Sequence, residues 1–503
     1  MPVLSYESHL PFSREDVFSW YERPGALVRL HPPFAGKVLE EPTDGLNPGS
    51  ESTLGINLPG LFGTSLSSAT ALLGSVTSLP LRSWLTWRAR HTDFQPGRSI
   101  TDEMLSGPAK TWRHERNFED DGAGTLLRET ITYRLPVTGR LPRAGQQLIQ
   151  RQFEAAIRRI VEFRTRQSTA DLAFHQSHHR LASQEAGSGA SAGRVGAIAV
   201  SGASGMIGKQ VCALLGGAGV EVRRLVRGQA ADPARGEISW DPGTGRLDPA
   251  DLREVDAVIH LAGHPLMGHF TEKHKQAVLD SRVEGTALIA QALAEVEKAD
   301  SRGRALISGS AIGYYGATAE NREHNHQTLT EQLPAGTDFL AGVCRQWEQA
   351  SAPAQEAGVR TALVRTGIAQ SPLGGVLAQM LPLFAVGAGG PLGDNQQQSW
   401  ISIDDIASLI VHLALSPSAE GPFNGVAPEP VTAKEYAQTL AAVLHRPSAI
   451  PVPAFGPKLL LGTQGAKELA LADQRVSAEK ALGAGYAFRH PTLAEALHHV
   501  LGR

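Results

Sequence analysis

Apolar positions along the chain follow two different periods. From Trp84 to Leu135 they alternate with polar ones: Trp84–Asp93, Ile100–Leu105, Thr111–Phe118 and Thr125–Leu135 each repeat at a period of two, separated by Pro96-Gly97, Gly107-Pro108 and Asp121-Gly122. Alternation bounded by turn dipeptides predicts an antiparallel meander. After Pro142 and Gly145, Ile149, Phe153, Ile157, Ile160 and Phe163 recur at helical spacing with Arg and Glu between them, which predicts one long amphipathic helix. A shorter helix is signalled upstream, where Ser13-Arg14-Glu15-Asp16 precedes Val17, Phe18 and Trp20, and Arg23-Pro24-Gly25 breaks it. Helix, meander and long helix together predict an α+β unit: a curved sheet gripping a helix, with a cavity between them.

Beyond Val195 the pattern changes to short, wholly apolar runs of the kind that form parallel strands buried on both faces. Ala197–Ser201, Val255–Gly263 and Arg304–Ala311 are such runs, and Glu221–Arg227 is a further strand beside them. Residues 431–503 read as helices with a Pro-rich interruption at 447–453. A chain of 503 residues is too long for one core. The expected units are 1–178, a flexible Ser/Gly/Ala linker over 179–194, 195–430 and 431–503, with the linker leaving the flanking units to fold independently.

Charge and cysteine content narrow the class. With 47 basic and 50 acidic residues there is no basic excess for nucleic acid, and two cysteines offer neither a disulfide framework nor a Cys-based metal site. Met1–Leu10 lacks the features of a signal peptide, so a cytoplasmic location is expected. Residues 52–81 carry no charge, but Pro59, Gly60, Gly63, Gly74 and Pro80 interrupt them, so an inserted flap is expected and no transmembrane segment. His175, His178 and His179 are read as a solvated helix end, with no metal site assigned.

The first chemistry-bearing motif follows Ala197–Ser201: Gly202-Ala203-Ser204-Gly205-Met206-Ile207-Gly208, opening onto a helical pattern. In a doubly wound α/β (Rossmann) sheet, the first glycine of such a turn permits the tight bend, the second lets backbone N–H groups approach a pyrophosphate, and the third lets helix pack on strand. Here these are Gly202, Gly205 and Gly208. The end of the next strand selects the cofactor: an acid there suits the ribose of NAD, a guanidinium the 2′-phosphate of NADP. Arg227 stands about 19 residues beyond Gly208 with no acid directly after it, so NADP is favoured over NAD. Leu261, Ala262 and Gly263 end another strand in small residues that let the dinucleotide pass close.

Two resemblances carry the reading further. Pro11-Phe12-Ser13, Trp20–Ala26, Arg29-Leu30, Pro32-Pro33-Phe34, Arg90-His91-Thr92 and Trp112–Glu115 resemble START-like (SRPBCC) helix-grip domains, which implies a cavity for an apolar ligand. From Val195 to Arg503 the chain resembles the extended short-chain dehydrogenase/reductases, and within them the cell-division-inhibitor-like NAD-dependent epimerases/dehydratases with their own C-terminal domain of unknown function. Asp280–Thr286, Gly313–Gly316, Trp347-Glu348, Leu363–Gly367 and Trp400–Asp405 carry that resemblance. It implies a small hydroxyl or keto substrate, in keeping with a nucleotide sugar.

The superfamily's acid/base pair is a Tyr with a Lys four residues on, assisted by a Ser on the neighbouring strand. Ser310 matches that Ser. Alignment on Glu348 puts Leu340 and Cys344 where Tyr and Lys belong, so the pair is absent and Tyr314 becomes the substitute phenol. Arg282 either contacts cofactor or closes an ion pair. Asp404 and Asp405 are read as a structural junction. The alternative to an enzyme is a catalytically weak NADP-dependent sensor or regulator, and oligomeric state stays open.

Overall fold

In a computed structural model the described residues are 1–57, 84–136, 142–186, 195–228, 231–317, 328–393, 395–448 and 455–503, with side chains left aside at 179–186, 455–457 and 459–460. Most of the uncharged 52–81 stretch therefore lies outside the described residues, although Glu51–Ile56 is a paired strand. The same holds for the linker at 187–194.

The N-terminal unit is a seven-stranded antiparallel sheet in the order β1-β8-β7-β6-β5-β4-β2. Its strands are β1 (Val3–Leu10), β2 (Gly36–Glu40), β4 (Glu51–Ile56), β5 (Leu85–Gln95), β6 (Ser99–Ser106), β7 (Thr111–Asp121) and β8 (Gly124–Arg134), with the short β3 (Thr43–Leu46) between β2 and β4. The four meander strands stand where alternation puts them. β1 pairs with β8 and was not signalled, because its inward positions, Leu4, Tyr6, Ser8 and Leu10, include a polar one. Ser13 caps the helix Arg14–Glu22 by accepting from the Asp16 N–H. The long helix, Arg143–Ala186, presses Ile157 and Val161 on Ile131 and Tyr133 of the sheet. It runs through 179–186, so that part of the expected linker is helical.

The second unit holds a seven-stranded parallel sheet. Its strands are β9 (Ala197–Ser201), β10 (Glu221–Arg227), β11 (Glu237–Trp240), β12 (Ala257–His260), β13 (Ala305–Ala311), β14 (Arg360–Thr366) and Gly421–Gly425. The order β11-β10-β9-β12-β13-β14 is that of a doubly wound dinucleotide fold, with the switch point between β9 and β12. The C-terminal helices share this core: Tyr436, Leu440, Leu497 and Val500 pack with Ile401 and Ile406.

The units do more than share a tether. Gly25 (φ +89°) lies so close to the helix Met206–Gly217 that a Cβ on it would come 2.4 Å from the Ala213 Cα, and a Cβ on Gly216 would come 2.4 Å from the Pro24 carbonyl oxygen. Arg29, buried, reaches Asp171 in two bonds of 2.8 Å, Gln210 at 2.6 Å and Asp404 at 2.7 Å, while Arg489 holds Asp171 at 2.6 Å. His175 is buried and bonds the Leu214 carbonyl at 3.0 Å, and so is no solvated helix end. Independent folding was expected from linker composition alone; the structure adds a buried ion network across the junction that this composition did not signal.

Candidate functional site

β9 is buried at every position and ends at Gly202, whose φ of +69° suits glycine. A Cβ there would lie 2.7 Å from the Leu261 carbonyl carbon and 2.8 Å from the Ala262 nitrogen, so the turn abuts the loop after β12. Gly208 could carry no side chain either: its Cβ would come 2.1 Å from the Gly202 oxygen. Gly205 caps the following helix without a side-chain acceptor, leaving N-terminal N–H groups that a polyanion can meet. Ser204 and Gly205 are exposed beside this helix end, whereas Met206 and Ile207 turn toward the core.

Beneath the turn, the Ser201 Oγ and the His260 Nδ1 are 2.6 Å apart, and the same Oγ accepts from the N–H groups of Leu261 (3.2 Å) and Ala262 (3.4 Å). This ties the ends of β9 and β12 together. Burial, then Arg282, pushes the His260 pKa down to about 3, so the tie is a neutral one.

Arg227 ends β10, exposed, with no ion pair among the described residues. Its field reaches the loop after β12, where burial, His274, Arg282 and Arg227 together lower the His264 pKa. Arg282 donates to the carbonyls of His264 and Val278 at 3.1 Å each and lies 5.1 Å from the Trp347 ring centroid. The ion-pair alternative for Arg282 is thus not realised among the described residues. It braces the Gly263 loop instead. A cavity of about 2310 Å³ runs past Gly202–Gly205, Arg224–Arg227 and Leu261–Gly263 and continues into the N-terminal unit past Trp87 and Trp112.

The candidate catalytic residues lie beyond β13. Ser310 is buried, and its hydroxyl donates to the Glu348 Oε1 at 2.7 Å. Arg365 grips Glu348 with two bonds, 2.8 and 2.9 Å, and donates to the Tyr315 hydroxyl at 3.0 Å, which in turn donates to the Asn424 Oδ1 at 2.6 Å. Burial opposes the charge on Arg365, but the bonds and charge of Glu348 outweigh it and raise its pKa. The Arg365 guanidinium sits 3.5 Å from the ring centroid of half-buried Tyr314. Ser310 and Tyr314 are therefore brought to one charged network.

Glu348, Arg365, Tyr315 and Asn424 were assigned no role from sequence. The available signal was Arg365 itself: an arginine inside an apolar parallel strand must have a buried partner. On the helix Phe339–Gln349, Leu340 and Cys344 are buried near Gly313. Burial, then Glu348, pushes the Cys344 thiol up to about 12. That helix face offers neither phenol nor ammonium.

The C-terminal segment clamps the 312–316 turn. Gln474 donates to the carbonyls of Ile312 (3.0 Å) and Gly316 (2.8 Å). Asp404 and Asp405 are structural: Asp404 meets Arg29, while Asp405 accepts from Ser402, Tyr486 and the Arg489 and His490 N–H groups. Among the described residues no three His, Cys, Asp or Glu side chains are grouped to hold a metal ion, and no helix is long and apolar enough to cross a membrane.

Comparison with known proteins adds to this geometry. The NAD dependent epimerase/dehydratase family matches residues 198–424, and a domain of unknown function, DUF1731, matches 452–500. An epimerase family protein of Mycobacterium bovis is 36% identical over 308 residues, 61% of this chain and 98% of that protein. A crystal structure of the nucleoside-diphosphate sugar epimerase from Corynebacterium glutamicum is 31% identical with a TM-score of 0.72, covering 99% of this chain and 90% of that one. The human epimerase family protein SDR39U1 (isoform2), solved with NADPH, is 30% identical with a TM-score of 0.53, covering 61% of this chain and 99% of that one.

Proposed function

The chain belongs to the NAD dependent epimerase/dehydratase family, and from that premise we propose that residues 195–430 bind NADP in preference to NAD and act on a hydroxyl or keto group of a small substrate, in the nucleotide-sugar class. The observation that carries this is Arg227: an exposed guanidinium without an ion pair among the described residues, at the strand end where the cofactor's 2′-phosphate is read. NADPH in the human relative's structure supports the same choice.

The residues present fit such a cofactor. The turn Gly202-Ala203-Ser204-Gly205-Met206-Ile207-Gly208 and the helix end behind it hold the pyrophosphate, Leu261-Ala262-Gly263 form the opposite wall, and Arg282 braces that wall. When bound, the nicotinamide supplies hydride chemistry. Ser310 orients the substrate oxygen, with Glu348 and Arg365 fixing its hydroxyl, and Tyr314 exchanges the proton. A positioned acid/base contributes on the order of 10² to 10⁴ in rate. Without the Tyr/Lys helix pair, turnover is slow. Consumption of NADPH absorbance with ketones and nucleotide sugars tests the assignment: Tyr314→Phe abolishes the activity, and activity that survives it refutes Tyr314 as the acid.

Residues 1–178 are read as a START-like helix-grip domain that takes an apolar ligand, 179–194 as the connection and 431–503 as the family's C-terminal domain. A second reading, an NADP-dependent sensor, draws support from the buried Arg29 network. That network couples the ligand-holding unit to the helix Met206–Gly217.

A further inference from the structure

The inward face of the N-terminal sheet breaks its own pattern. Trp87, Ala89, Ile100, Trp112 and Ile131 are the apolar positions that alternation calls for, yet His91, Asp102, His114, Arg116 and Glu129 stand among them on the same face. Charged groups on a buried face are costly unless they are paired, and departures from binary patterning mark sites. Cross-strand register gathers these five into one patch. His91, Asp102 and His114 are direct neighbours across β5, β6 and β7, and Arg116 lies directly opposite Glu129 across β7 and β8. Opposed positions bring Cβ atoms to about 4.5–5.5 Å.

Most of the patch is internally satisfied. Arg116 pairs with Asp102, His114 bonds Glu129 at 2.7 Å, and Arg164 of the long helix stands 3.6 Å from Glu129. Two guanidinium groups thus balance two carboxylates. Burial and the neighbouring Arg116 keep His91 and His114 neutral. Two buried atoms are left over: the Arg116 Nε–H, a donor, and the His91 Nδ1. A neutral imidazole has one ring nitrogen free to accept, and with Nδ1 in that state it is an acceptor beside the Arg116 donor. The remainder is one donor and one acceptor in a patch of zero net charge, on the wall of an apolar cavity.

From this we propose that the cavity takes an apolar molecule carrying a neutral hydroxyl group, whose oxygen accepts from Arg116 and whose proton goes to His91. A hydroxyl is the simplest group able to do both. A carboxylate would satisfy Arg116 but meet the His91 lone pair with another acceptor, and an ether could accept but not donate. The inference rests on the apolar-ligand reading of residues 1–178 given above, and adds to it the chemistry of the head group.

The test uses the full chain and the neutral dye N-phenylnaphthylamine, whose fluorescence reports the apolar cavity itself. Decanol, decyl methyl ether and decanoate then compete for it. Decanol should displace the dye at concentrations roughly three- to tenfold lower than the other two, the effect of one hydrogen bond. His91→Phe, which removes the acceptor that only the alcohol can use, should bring decanol to the level of the ether, whereas Arg116→Lys, which keeps the charge beside Asp102 but loses the Nε–H, should weaken decanol and the ether alike; dye binding should hold in both. If Arg116→Lys melts early, His91→Phe alone decides. Equal displacement by decanol and ether would mean that these atoms are merely hydrated, and tightest binding by decanoate would mean an anion site; either overturns the proposal. Failure of the dye and of all three competitors to bind would overturn the cavity reading, and this inference with it.

Discussion

Removing the Arg29 side chain charge probes how the two units are joined. Arg29→Met keeps the length of the stem but takes the guanidinium from Asp171 and Asp404, both buried. Breaking a buried ion pair by removing one partner costs ~3–5 kcal/mol. Each carboxylate here keeps another partner, Asp171 through Arg489 (2.6 Å) and Asp404 through His499 (3.2 Å) and Gln167 (3.0 Å), so the lower end, about 3 kcal/mol, applies. At about 2–4 °C per kcal/mol, calorimetry should find the transition that involves this junction lowered by roughly 6–12 °C.

The pH dependence has a definite sign. Burial alone would raise both carboxyl pKa values, but Arg29 outweighs it and holds them below the ordinary range. Groups with depressed folded-state pKa values give stability that is present above the unfolded value, about 3.9, and is lost as pH falls through the folded one. The Arg29→Met deficit should therefore be full at neutral pH and shrink below about pH 4. The double variant Arg29→Met with Asp404→Leu removes charge from both sides and should regain most of the loss. A single variant within about 0.5 kcal/mol of native, the range of an ordinary surface change, would refute the junction as described.

Other outcomes follow from the second unit. Gly205→Val crowds a position whose Cβ would stand 3.1 Å from the Gly202 oxygen and fills the mouth of the turn; dinucleotide binding should disappear while the chain keeps a cooperative melt, and retained binding would mean the phosphates lie elsewhere. Cys212 and Cys344 are both pushed up to about 12, with burial as the first cause, so a disulfide reagent at pH 8 should titrate neither thiol in the native chain and both after denaturation. Rapid native modification of Cys344 would show that this thiol is not the inert packing residue it is taken to be.

The legible parts of the molecule are those set by neighbours in sequence. β9 and its glycine turn announce themselves because buried strand, bend and helix start fall within one short stretch, and the meander because period-two alternation is interrupted by turn pairs. β1 escaped since one inward position is Ser8, whose hydroxyl is 2.8 Å from that of Thr165 on the long helix. The junction could not be read at all: Arg29 meets residues far along the chain, and nothing local in Pro24-Gly25 tells of Ala213. Ser310 was singled out by its match to the superfamily's strand Ser, whereas the Glu348–Arg365 pair that fixes its hydroxyl depends on a helix and β14 coming together in space. The charged residues of the N-terminal sheet's inner face passed unremarked within the alternation, because which face is inward, and which residues pair there, needed the register.

Parallel fluorescence titrations with NADPH and NADH, on the native chain and on Arg227→Ala, test most directly the proposed binding of NADP through Arg227. Hydrogen bonds to a charged group are worth ~1.5–3 kcal/mol, so NADPH should bind the native chain roughly 10- to 100-fold more tightly than NADH, and Arg227→Ala should erase the difference by weakening NADPH alone. Equal affinities in the native chain, or a preference for NADPH that survives Arg227→Ala, would contradict it.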